Sequence, residues 1–173
     1  MLSLPTWDLV ISLFFILAVG YGLILGRDKV VVTLVSTYIG FVVANEFGNT
    51  LYALFTGQSV FGGSIWVKTN LSIFLVKTIL LVLLIVLLGI KGGYMATPGK
   101  GGFKSSLLAG VLSFLDAGLI ISSLIWFMTD SARTALFSQS HLAASIAQVR
   151  NWWLILPVVV LLIAGFLEPK KEE

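Results

Sequence analysis

Residues 71–90, LSIFLVKTILLVLLIVLLGI, constrain this chain more than any other stretch, because their heart, ILLVLLIVLL, is aliphatic without a break. About 20 such residues in a helix reach across the roughly 30 Å hydrocarbon layer of a bilayer. A helix that is apolar all round must be buried on every side, in a large core or in lipid. Composition decides between the two. Of 173 residues, 58% are hydrophobic and only 11% charged, against about 25% charged in a soluble domain. That little polar surface cannot cover a core, so lipid is the expected solvent and water-soluble classes are excluded.

Four more segments have spanning length: residues 9–25, 30–48, 107–128 and 152–167. The last is short, about 25 Å at 1.5 Å per residue, and carries Pro157. Neighbouring helices can satisfy the carbonyl that a proline frees; a half-inserted segment is the rival reading. The expected fold is therefore all-α, a polytopic transmembrane bundle of five spans. Residues 1–128 form a four-helix membrane core, and residues 129–173 add an amphipathic helix, the fifth span and a charged tail. The start, MLSLPTWDLV, has no basic segment ahead of its apolar run and reads as the opening of a retained span.

Two connections are more than plain loops. Residues 49–70 interleave Tyr52, Phe55, Phe61 and Trp66 with Gly57, Gly62 and Gly63, a pattern suited to the headgroup layer. In residues 131–149, SARTALFSQSHLAASIAQV, Ala132, Leu136, Leu142, Ala143, Ile146 and Val149 recur at helical spacing. Thr129 or Asp130 is placed to cap that helix, which is expected to lie on the outer face and run into the fifth span. Asp8, beside Trp7, is expected to cap the first helix.

Charge sets the orientation. With the N-terminus outside, Arg27, Lys29, Lys91, Lys100, Lys104, Lys170 and Lys171 fall on the cytoplasmic side, and Lys68, Arg133 and Arg150 on the outer side. That excess of cytoplasmic lysine and arginine favours N-out and C-in. The net charge is only +3, and the basic residues are scattered, so topology explains them and nucleic acid is not an expected partner. Membrane lipids are, with a second copy of the chain or another membrane protein.

Asp116 stands mid-way along the fourth span. Its helical face also carries Ala109, Ser113, Ile120 and Ser123, the small-and-polar face that packs on another helix. A charge at mid-membrane costs roughly 2.5–3.5 kcal/mol on insertion scales, part of which a partner recovers. Lys77 is the first candidate: at 1.5 Å per residue it lies roughly 9 Å below the outer end of its span and Asp116 roughly 15 to 17 Å. Glu46 is a second possible member of the group. The alternatives are a neutral aspartic acid bonded to Ser113 or to a carbonyl, a proton- or ion-handling site, and a Lys77 that snorkels outward alone. Gly22 and Gly26 form a Gly-x-x-x-Gly in the first span that allows close helix approach.

Catalytic chemistry is not expected. There is no cysteine, and the single histidine, His141, has no carboxylate or second histidine at metal-ligand spacing. In residues 91–104, KGGYMATPGKGGFK, the Gly99–Lys100 pair has Tyr94 where a phosphate loop needs glycine and Gly101 where it needs serine or threonine. No cofactor or metal is implied.

Residues 6–44, TWDLVISLFFILAVGYGLILGRDKVVVTLVSTYIGFVVA, open a helix on an aspartate, turn at a glycine with charges, and enter a second helix with a central glycine, Gly40. With LLAGVLSFLDAGLIISSLIWF and its Gly110 and Gly118, this resembles the colicin V production (CvpA) family of bacterial inner-membrane proteins over residues 6–128. The fifth span extends past that family's four-helix core. The resemblance implies an inner-membrane location and a part in toxin production or export, or in envelope maintenance. Three functions are consistent with it: a non-enzymatic scaffold or accessory subunit, a small transporter or proton-conducting unit using Asp116 and Lys77, and a small subunit of a larger membrane complex.

Overall fold

The computed structural model describes residues 6–56, 72–95 and 102–167. Phe61, Trp66, the glycines between them, residues 96–101 and the tail with Lys170 and Lys171 lie outside the described residues. Among those described, the chain is helical from end to end: α1 (Trp7–Leu25), α2 (Arg27–Phe55), α3 (Ile73–Met95), α4 (Phe103–Phe127), α5 (Asp130–Gln139), α6 (His141–Gln148) and α7 (Arg150–Leu167).

The turn between the first two helices is a single residue. Gly26 takes φ 83° and ψ 168°, a conformation costly for any residue with a Cβ. Its N–H closes α1 on the Gly22 carbonyl at 2.9 Å, and α2 starts at the next residue. Gly26 is therefore a corner residue with open space where a Cβ would stand. That corrects its expected role in helix packing. Arg27, Asp28 and Lys29, read as part of the turn, are the first turn of α2. At its other end α2 runs past residue 48 to Phe55, so Tyr52 and Phe55 continue a helix. Its 29 residues come to about 43 Å, longer than the hydrocarbon is thick.

α4 is the hub. α1, α2, α3, α6 and α7 all pack on it, while α2 carries α3 along its other side. Its most apolar window is 67% buried, against 11% for α1 and for α3. α1 and α3 present Ile16, Ile24, Ile79 and Leu83 outward, as helices bathed in lipid do. Four helices are long and apolar enough to cross a membrane: α1, α2, α3 and α4. A fifth crossing is available in His141–Gln148 with Arg150–Phe166, a pair bent by 64° at Val149. Pro157 is fully buried inside α7.

The amphipathic stretch is not one helix. It breaks at Ser140, which is extended (φ −143°, ψ 113°) and buried. Ser140 Oγ accepts from the Ala143 N–H at 3.0 Å and donates to Asp8 Oδ1 at 2.5 Å, while Asp8 Oδ1 also accepts from the Leu142 N–H at 3.2 Å. Asp8 therefore caps α6 and not α1, whose cap residue Thr6 makes no side-chain bond. Thr129 caps α5, accepting from the Ala132 N–H at 3.4 Å.

Candidate functional site

Small residues in the helix seams bring the site together. At Gly22 a Cβ would collide with the Ser113 side chain, so α1 and α4 touch through a glycine and a serine. Ala109, one turn further along α4, is fully buried with Val30, Leu34, Leu112 and Leu119. Gly118 gives up its Cβ space to the Trp153 ring, which seats α7 on the opposite side of α4. Gly22, Ala109 and Ser113 thus lie in the seams as expected; Gly118 and Trp153 were not foreseen as a pair.

Asp116 lies between these contacts, 6% exposed. Its Oδ1 has no hydrogen-bond partner among the described residues. The Thr37 hydroxyl on α2 is close enough to act on the carboxyl. That hydroxyl donates its one proton to the Thr33 carbonyl at 3.0 Å, which leaves its oxygen free to accept. Ser123 and Ser122 likewise donate to the Leu119 carbonyl, at 2.7 and 3.0 Å, and Ser36 to the Val32 carbonyl at 2.7 Å. Tyr38 donates to the Leu154 carbonyl on α7 at 2.6 Å. Ser122 and Ser123 on α4, and Ser36, Thr37 and Tyr38 on α2, therefore have their protons engaged on backbone carbonyls. The unpartnered Oδ1 leaves a place on the carboxyl for a proton or a cation.

Asp116 opens onto a hollow of about 780 Å³ whose walls include Leu17, Tyr21, Val30, Thr33 and Ser113. A second hollow of about 530 Å³ shares Tyr21, Leu25 and Thr33 with it and runs to Lys29 in the first turn of α2. The two hollows adjoin between the α1–α2 corner and the middle of α4. The cavity at the far end of α4, lined by Ser122, Trp126 and Arg150 among others, shares no lining residue with either hollow. Between them Leu119 and Ser123 are buried to 0% and 1% exposure.

Lys77 and Asp116 are not brought together. The Lys77 stem crosses α2 at Gly48, where any Cβ would meet it, and its Nζ lies 5.8 Å from the Phe127 ring centroid. Phe127 is three helical turns beyond Asp116 on α4, about 16 Å away at 1.5 Å per residue. The ammonium sits over an aromatic face at the end of the bundle, an attraction worth roughly 0.5–2 kcal/mol. Glu46 is also remote from the site: it is exposed on α2 and accepts from the Asn45 amide at 3.2 Å. Among the described residues no group of three metal-ligating side chains forms.

The second polar centre, absent from the sequence reading, is at the far end of α4. Arg150 stacks on the Trp126 ring at 3.8 Å, and Arg133 approaches the same ring at 5.6 Å. Neither arginine has a sequence motif around it; only the fold makes them neighbours. Comparison with protein families, with curated proteins and with solved structures finds no match to this chain.

Proposed function

We propose that the chain is a non-enzymatic scaffold or accessory subunit of a bacterial inner membrane, N-terminus outside and C-terminus in the cytoplasm, serving toxin export or envelope maintenance. The observation that carries this reading is the interlocked hub. α4 is held to α1 by Gly22 against Ser113 and to α7 by Gly118 against Trp153, and it is closed at Leu119 between the two hollows. A frame so tightly interlocked suits a part that holds others in place. The resemblance of residues 6–128 to the colicin V production family supplies the process and the compartment. Purification in mild detergent with a tag on the C-terminus tests it: a membrane protein that co-purifies in fixed ratio and is lost when Gly118→Leu loosens α7 supports the reading. A chain that purifies alone from its own membrane under every mild detergent contradicts it.

A second reading has its own observation. Asp116 has an oxygen without a partner among the described residues and faces a hollow that adjoins a second one lined by Lys29. Intramembrane carboxylates of that kind mark proton and cation sites. Flux of protons or sodium into liposomes that is present for the native chain and lost in a folded Asp116→Asn variant favours a conducting unit. Equal flux in both ends that reading and leaves the scaffold.

A further inference from the structure

The far end of α4 gathers two cations and almost no counter-charge. Arg133 comes from α5 and Arg150 from the start of α7, yet both lie against the one Trp126 ring, at 5.6 and 3.8 Å from its centroid. Among the described residues the single carboxylate in ion-pair range is Asp130, 3.5 Å from Arg133 Nη1 and 98% exposed. Water screens so exposed a partner, and such pairs contribute little. Among the described residues Arg150 has no carboxylate at ion-pair distance. Arg133 Nη2 donates to the Met128 carbonyl at 3.1 Å and the Trp126 carbonyl at 3.5 Å, but its Nε is buried with no partner among the described residues. Compensating the carbonyls at the end of α4 therefore explains one nitrogen of Arg133. It explains neither the buried Nε nor the second guanidinium.

Both arginines line a cavity of about 400 Å³ together with the buried Ser122 and Ile125, the half-buried Phe137 and Ala147, and the exposed Gln148. It has an apolar base, a basic rim and amide and hydroxyl groups within the same wall. Trp126 and the neighbouring Trp152 are exposed where α4 ends and α7 begins, and tryptophans at span ends sit at headgroup depth. The guanidinium fork matches phosphate oxygens two at a time, and stacking on an aromatic ring orients the fork in advance. Basic pockets between spanning helices take lipid headgroups at the cytoplasmic boundary, and the guanidinium chemistry is the same at the outer one. We propose that the cavity rimmed by Arg133, Arg150 and Gln148 binds the phosphate of an anionic glycerophospholipid, with Trp126 as the platform that aims the arginines.

The test uses the full chain purified in a neutral detergent, with native mass spectrometry and thermal unfolding as readouts. Phosphatidylglycerol, phosphatidylcholine and inorganic phosphate are the probes. The native protein should retain phosphatidylglycerol over phosphatidylcholine and unfold at a higher temperature with it. Arg133→Gln and Arg150→Gln should each weaken retention about tenfold, the loss expected for one charged hydrogen-bonding group. Arg150→Lys, which keeps the charge and lacks the fork, guards against a variant that fails to fold; it should fold and still retain less lipid. No preference for phosphatidylglycerol in the native chain, or equal retention by folded Gln and Lys variants, overturns the proposal. Stabilisation by inorganic phosphate without lipid retention overturns the lipid as the source and reassigns the site to a soluble phosphate.

Discussion

Asp116 and Lys77 show how far residue chemistry can be read without coordinates. An acid and a base in neighbouring apolar spans invite an ion pair, and a lysine side chain bridges most of the difference in their depths along the helices. What the depth count leaves out is direction. Gly48 opens a groove in α2 that takes the Lys77 stem toward Phe127, while Asp116 faces Thr37 and the hollow behind α1. Charge pairs in helices are settled by such grooves, and a glycine's groove is visible in sequence only once its neighbour is known. The separation predicts that Asp116→Asn and Lys77→Met act independently: in a double-mutant cycle read by thermal unfolding in detergent, their effects add within about 0.5 kcal/mol. A coupling of 1 kcal/mol or more would put the two groups in contact. The glycines give a second prediction. Gly22→Ala drives a Cβ into Ser113 and should cost about 1–3 kcal/mol, whereas Gly20, with nothing near its missing Cβ, should accept alanine with no loss and a gain of up to about 1 kcal/mol.

At the scale of the element, hydrophobic length was legible and breakpoints were not. Residues 9–25 and 71–90 announce α1 and α3 because nothing but lipid needs runs of that kind. The charged stretch Arg27–Asp28–Lys29 hid the start of α2, because a charged first turn at a membrane boundary looks like a loop. The break at Ser140 hid for a different reason. The apolar spacing of residues 131–149 fits one helix, and only the distant Asp8 makes two capped helices better than one continuous one. Asp8 and Ser140 are 132 residues apart, beyond the reach of any local pattern. Ser140→Ala removes the cap of α6 and one of the two bonds to Asp8, so the bundle should lose about 0.5–2 kcal/mol. Hydrogen exchange checks the location: the amides of Leu142 and Ala143 should lose protection while those in the middle of α4 keep theirs. Unchanged protection in α6 would mean that the cap does not hold it.

For the whole molecule, the organising fact is that one helix touches nearly all the others. α4 holds the solitary carboxylate, its flanks are closed by Gly22 with Ser113 and by Gly118 with Trp153, and its far end holds the arginine pair. The four-helix part of this plan could be expected from the apolar runs. The seat of α7 against α4 could not, since it depends on a tryptophan filling the space left by a glycine 35 positions away (Gly118 and Trp153). That seat also decides topology: if α7 crosses, the chain ends on the side opposite its start. The absence of cysteine makes this directly measurable, because single cysteines can be placed without removing any. Thr6→Cys and Glu173→Cys variants, treated in intact cells with a membrane-impermeant maleimide, should behave oppositely. The first should label from outside and the second only after the membrane is opened; labelling of both from the same side would contradict a five-span bundle.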